Sequence, residues 1–115
     1  MKQGILKEKS FRFAVRVVNL YRYLCEVKKE FVLSKQILRS GTLVGAMIRE
    51  AQQSESIADF IHKIVIAQKE INESIYWLEL LKKTEYISNM AFESIHVKAV
   101  GNYQNYNLIN KNRQN

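Results

Sequence analysis

The sequence predicts an all-α protein, an up-down-up-down four-helix bundle. Three observations point there. Apolar residues recur every three or four positions in four stretches of about 20 residues each, the spacing that gathers them on one side of a helix. No proline occurs in the 115 residues, so no stretch has to kink or stop for want of a backbone donor. The links between stretches are short, and none carries the alternation of a half-buried strand.

The first helix is expected over residues 10–29. Ser10 suits an N-cap, and Phe11, Ala14, Val15, Val18, Tyr21 and Cys25 follow at helical spacing. "EFVL" links it to a second N-cap, Ser34. Helix two then runs over 34–53, with Ile37, Gly41, Val44, Ile48 and Ala51 on one stripe. Ser56, with Asp59 three residues on, resembles a capping box and opens helix three, expected over 56–83. Its stripe is Ile57, Phe60, Ile64, Ala67, Ile71, Ile75, Leu78 and Leu81. Ser88 opens helix four, over 88–110, where Met90, Phe92, Ile95, Ala99, Tyr103 and Tyr106 keep a looser pattern past Gly101. The polar tail, 111–115, is expected to fray. Helices of this size make one domain about 30 Å long.

"GTLVGAMIREAQQSES" sets two glycines, Gly41 and Gly45, inside helix two. A helical glycine costs about 1 kcal/mol against alanine. With Ser40, Ala46 and Ala51 on the same helix, the glycines read as a site of close helix packing.

Helices one and three each carry a second apolar side. Opposite the Phe11–Val15–Val18 stripe lie Phe13, Val17, Leu20 and Leu24. Away from the isoleucine stripe of helix three lie Ile66, Trp77 and Leu80. A surface helix should have one apolar stripe and a polar back, so these seven residues are expected at a subunit contact of a homo-oligomer.

Charge is uneven. The net charge is +7, and all of it falls in the first 50 residues, with eleven Lys and Arg against four acids. Lys9, Arg12, Arg16 and Tyr23 fall within about a third of the circumference of helix one. Asn19 and Glu26 border them, and Arg39 and Arg49 lie on the outward side of helix two. Such a stripe could track phosphates in a sequence-tolerant, salt-sensitive way, so RNA or DNA is the expected partner.

Catalysis finds less support. "DFIH" and "ESIH" place Asp59 before His62 and Glu93 before His96 at the carboxylate-x-x-His spacing of two-metal bundles. However, Asp59 and His62 project away from the core stripe, so no metal is expected. Cys25 reads as a packing residue, and there is no phosphate loop, nucleophile elbow or Cys-His metal spacing. No catalytic residue and no cofactor are therefore expected. No apolar run is long enough to span a bilayer and no secretory signal opens the chain, so a cytoplasmic, non-membrane location is expected.

Two segments carry a family resemblance, "FVLSKQILRSGTLVGAMIREA" and "DFIHKIVIAQKEINESIYWLELL". They resemble the small four-helix bundle proteins encoded in intervening sequences of bacterial 23S ribosomal RNA genes, over residues 9–110. The resemblance implies a left-handed bundle assembled as a ring-shaped homopentamer, with no enzymatic activity. Related accessory variability determinants of diversity-generating retroelements are basic pentamers that associate with nucleic acid and a reverse transcriptase, which makes such an enzyme a candidate partner. Met47 departs from the Asn common at that position in the family. The rival reading is a protein-interaction scaffold with no nucleic-acid role.

Overall fold

The computed structural model describes residues 3–114. It shows four helices: α1 (Gln3–Glu26), α2 (Leu33–Gln52), α3 (Ile57–Lys83) and α4 (Asn89–Gln114). Each packs along the next, and α4 returns beside α1 with the sparsest contact of the four neighbouring pairs. No strand occurs among the described residues. The long axis is 44 Å, beyond the expected length, because α3 alone runs 27 residues.

The ends of the helices follow from how their free backbone groups are satisfied. Helix α1 already includes Gln3, well ahead of Ser10. Ser10 is buried inside the helix and donates to the Lys7 carbonyl at 3.1 Å, so it is no cap. The chain leaves α1 after Glu26, and Lys29 takes the left-handed conformation at φ 56°. Glu30 then does what the sequence assigned to Ser34. Its carboxylate accepts the N–H groups of Val32 (3.2 Å), Leu33 (2.9 Å) and Ser34 (2.7 Å), serving amides that have no partner within α2. Burial alone would raise the Glu30 carboxyl's pKa. The bonds from Leu33, Ser34 and Val32 outweigh it and hold the pKa below the ordinary glutamate value.

Ser56 does cap α3 and accepts the Asp59 N–H at 3.0 Å. At the other end of α3, the Tyr86 N–H reaches the Leu81 carbonyl (2.9 Å) and the Glu85 N–H reaches that of Lys82 (3.0 Å). This is the bond pair of a glycine-terminated helix, here with Glu85 in the left-handed position at φ 67°. Ser88 accepts the Ala91 N–H at 3.1 Å to open α4. That helix passes residue 110 and includes most of the tail expected to fray, while Asn115 lies outside the described residues.

The core corrects the reading of α1. Phe13, Val17 and Leu24, expected at a subunit contact, are wholly buried with Leu6 against Ile37, Val44, Ile64, Ile71, Leu78 and Tyr106. Phe11 and Val15, expected inside, are 54% and 45% exposed. Both stripes of α1 are apolar, so periodicity alone does not choose between them. Leu6 decides it, since it lies on the Phe13–Val17 stripe and extends it by two turns. Of the other contact candidates, Leu20 and Trp77 are half-buried against the edge of this core, and Trp77 donates its indole N–H to Glu73 at 3.1 Å. Ile66 and Leu80 are half-buried on α3. Ile57, expected in the core, is exposed at the start of α3. Met47 packs half-buried against the core, an apolar environment that suits it.

The two glycines are not equivalent. A Cβ on Gly41 would lie 2.6 and 2.8 Å from the two methyls of Val17. Val17 is buried and β-branched, so it has little room to turn away. A Cβ on Gly45 would meet nothing nearer than the Ser10 carbonyl oxygen, at 3.6 Å, an ordinary contact. The α1 backbone thus comes near at Gly45, but the position that leaves no room for a Cβ is Gly41. On the other side of α2, buried Ser40 and Ser74 meet at 2.9 Å, and the Ser74 hydroxyl donates to the Glu70 carbonyl.

Gly41→Ala should lower stability by about 1–3 kcal/mol through overpacking. Gly45→Ala should raise it by up to about 1 kcal/mol, the helix-propensity gain. Urea unfolding of both variants checks this, and the opposite order would contradict the placement. The Glu30 cap gives a pH signature. Because folding depresses this carboxyl's pKa, its contribution is complete above the unfolded value of roughly 4.3 and is lost as pH falls through the lower folded value. Glu30→Gln should cost about 1 kcal/mol at pH 7. The gap from wild type should close in acid below about pH 4. Parallel denaturant titrations at pH 7 and pH 3 measure it, and a gap that widens in acid would refute the cap.

Candidate nucleic-acid interface

The rotation of α1 that buries Val17 turns Lys9, Arg12, Arg16 and Tyr23 toward α4, along the sparsely packed seam between the first and last helices. At the upper part of the seam, Lys9 and Arg12 face Lys98, Val97, Gly101 and Asn102 of α4 across a shallow groove of about 210 Å³. One turn along, the Arg16 guanidinium donates to the Ser94 hydroxyl of α4 at 2.8 Å. Beyond it opens a cleft of about 310 Å³ with mainly apolar walls, Leu20 from α1 against Ile87, Ala91 and Ile95. Arg16, Asn19, Tyr23 and Ser88 supply its polar part. Tyr23, Ile87 and Ser88 also border a wide groove of about 1060 Å³ at the end of the bundle.

No carboxylate lines either the Lys9–Lys98 groove or the apolar cleft. The nearest acid partner is Glu8, one turn before Arg12 and 2.6 Å from it. Both side chains are well exposed, so this pair is weak and a phosphate could replace the carboxylate. The end groove is different, because its cations Lys28, Lys82 and Lys83 are matched by Glu79, Glu85 and Glu93.

The structure divides the six basic and aromatic candidates among three faces. Lys9, Arg12, Arg16 and Tyr23 share the seam. Arg39 lies on the α2–α3 side, 3.4 Å from Glu70 and 3.6 Å from Glu73, away from the seam. Arg49 sits over the ring of Phe11, 5.5 Å from its centre, on the α1–α2 side. One ligand on the seam cannot reach these two. Lys98, by contrast, joins the set from α4. Sequence reading does not single it out, because each helix is projected alone and the rotation of the last helix against the first is set by packing.

The residues weighed for catalysis do not converge. Asp59 and His62 lie at the start of α3, and Glu93 and His96 near the start of α4, at the other end of the bundle. His96 stacks on Phe92 with ring centres 4.7 Å apart, and Lys82 lies over the same Phe92 ring. No group of three or more His, Cys, Asp or Glu side chains is placed to hold a metal ion among the described residues. Cys25 is half-buried with its sulfur 3.7 Å from the Ser34 hydroxyl, a packing position between α1 and α2. No helix is long and apolar enough to cross a membrane among the described residues.

A four-helix bundle with sequential packing and a basic, acid-poor seam is thus the class that fold and site define. The family model for the 23S rRNA-intervening sequence protein matches residues 2–102, and the chain belongs to that family. A solved relative from Bacteroides thetaiotaomicron VPI-5482, described as a protein with unknown function from the S23 ribosomal protein family, is 55% identical. The match covers 96% of this chain and 99% of that one, with a TM-score of 0.94. No curated protein matches.

Proposed function

We propose that this chain is a non-enzymatic, ring-forming accessory protein that binds the phosphate backbone of RNA or DNA along the α1–α4 seam. The observation that carries this reading is the convergence of Lys9, Arg12 and Lys98 on one acid-free groove, with Arg16 a turn further along. These side chains come from two helices yet form one stripe. A polyanion could follow that stripe without reading sequence.

Assembly rests on a separate feature. Phe11 and Val15 leave an apolar stripe on the outside of α1, away from the seam. A second subunit of the same kind is its natural cover, and repetition of the seam around a ring would let one strand touch several copies, multiplying weak contacts by avidity. The same stripe is what favours the rival reading, a protein scaffold whose positive charge is incidental.

A mobility-shift titration separates the two. The wild type should bind a labelled oligonucleotide at 50 mM salt and lose most of that affinity by about 200 mM, as counterion release requires. The triple change Lys9→Glu, Arg12→Glu and Lys98→Glu should abolish binding. Light scattering should give both proteins the same mass, a multiple of 13.5 kDa. Binding that survives the triple change, or no binding by the wild type at 50 mM salt, would leave the scaffold reading in its place.

A further inference from the structure

The apolar cleft beside the basic stripe carries the reading further. We infer that the cleft between Leu20 of α1 and Ala91 and Ile95 of α4 receives an unstacked nucleobase, so that the seam selects single-stranded over double-stranded nucleic acid. This rests on the phosphate-binding reading above and adds an occupant for the cleft.

Four features of the seam lead there. The first is size, since a volume of about 310 Å³ admits a planar heterocycle. The second is chemistry. The walls are aliphatic and would bury the two faces of a base, while Arg16, Asn19 and Ser88 offer hydrogen-bonding groups to its edge. The third is position. Arg16 borders the cleft and stands one helical turn from Arg12, which lines the phosphate groove, so a strand held by Lys9, Arg12 and Lys98 runs toward the cleft. The fourth is Tyr23. The residue is 41% exposed at the junction between the cleft and the larger end groove, where a following base could stack on its ring.

Charge complementarity identifies the occupant. An apolar peptide side chain would fit the walls, but its backbone would bring no charge to match Lys9, Arg12 and Lys98 alongside, where the exposed Glu8 beside Arg12 is a weak partner. A duplex would match the cations and leave the cleft empty, because its bases are paired and stacked inside. A single strand satisfies both halves of the seam at once. Its phosphates lie on the basic half and its free base enters the apolar half.

The test compares three labelled probes on the full-length protein at 50 mM salt: a mixed-sequence single strand, the same strand annealed to its complement, and the same strand with its central bases removed to leave abasic sites. The single strand should bind about five- to a hundredfold more tightly than either of the others, the range expected of base stacking. Ala91 is exposed on α4, and Ala91→Leu would occupy the cleft without altering charge. It should bring the single-strand affinity down toward the duplex value. Thermal melts by circular dichroism establish that the variant is folded, and Tyr23→Ala provides a second variant with an exposed side chain at the cleft border. If all three probes bind alike, or if neither variant alters the ratio, the base pocket is wrong while the phosphate stripe stands. If no probe binds the wild type, the phosphate reading itself fails, and the base pocket with it.

Discussion

Val17 seats against the bare backbone of Gly41, and this contact sets the rotation of α1 about its own axis. Everything placed on α1 depends on it. With Val17 inward, Phe13 and Leu24 are carried into the core by the helical repeat. Arg12 and Arg16, each one residue before a buried position, come to the α4 side. Phe11 and Val15 go to the outside. Any side chain at position 41 would collide with the Val17 methyls and push the helices apart or turn α1. The glycine's conformational cost in the helix is thus offset by a packing arrangement in which the charged stripe and the last helix form a single surface.

Helix α4 is held differently from the other three. Its inner face is partly polar. Tyr106 is fully buried and donates to Asn102 at 2.8 Å, and Asn102 donates to the Lys98 carbonyl. Burial raises the Tyr106 phenol's pKa well above its usual value, so it stays a hydrogen-bond donor across the physiological range. Gln68 of α3 bonds with Asn107 and Asn110. These bonds tie α4 to α3 in one register, because a shifted helix would break them. On its other side α4 touches α1 sparsely, with the Arg16–Ser94 bond as a specific tie. An edge held this lightly leaves room for grooves, and both of the acid-free grooves lie on it.

The helical periods made four helices legible, and the Ser56 and Ser88 caps are local signals that the structure bears out. Other features were illegible for physical reasons. The start of α2 is satisfied by a carboxylate outside the helix, Glu30, whose role depends on a left-handed turn at Lys29 that no glycine announces. The orientation of α1 is ambiguous over residues 10–29 because both faces are apolar there, and the tie breaks with Leu6, ahead of the expected start, and with the fit of Val17 against Gly41. Arg39 and Arg49 looked free on a single-helix projection, yet partners on other helices meet them, Glu70 and Glu73 in one case and Phe11 in the other. Lys98 and the cleft depend on how α4 is rotated against α1, which spacing within one helix does not encode.

The claim on which the functional reading turns is that nucleic acid lies on the α1–α4 seam and nowhere else on the bundle. Hydroxyl-radical footprinting of the protein, free and bound to a single-stranded oligonucleotide at low salt, tests it most directly. Protection should concentrate at Arg12, Tyr23 and Lys98, with Arg39 and Tyr76 on other faces unchanged. Protection centred on Arg39 and Tyr76, with Tyr23 and Lys98 as reactive as in the free protein, would contradict it.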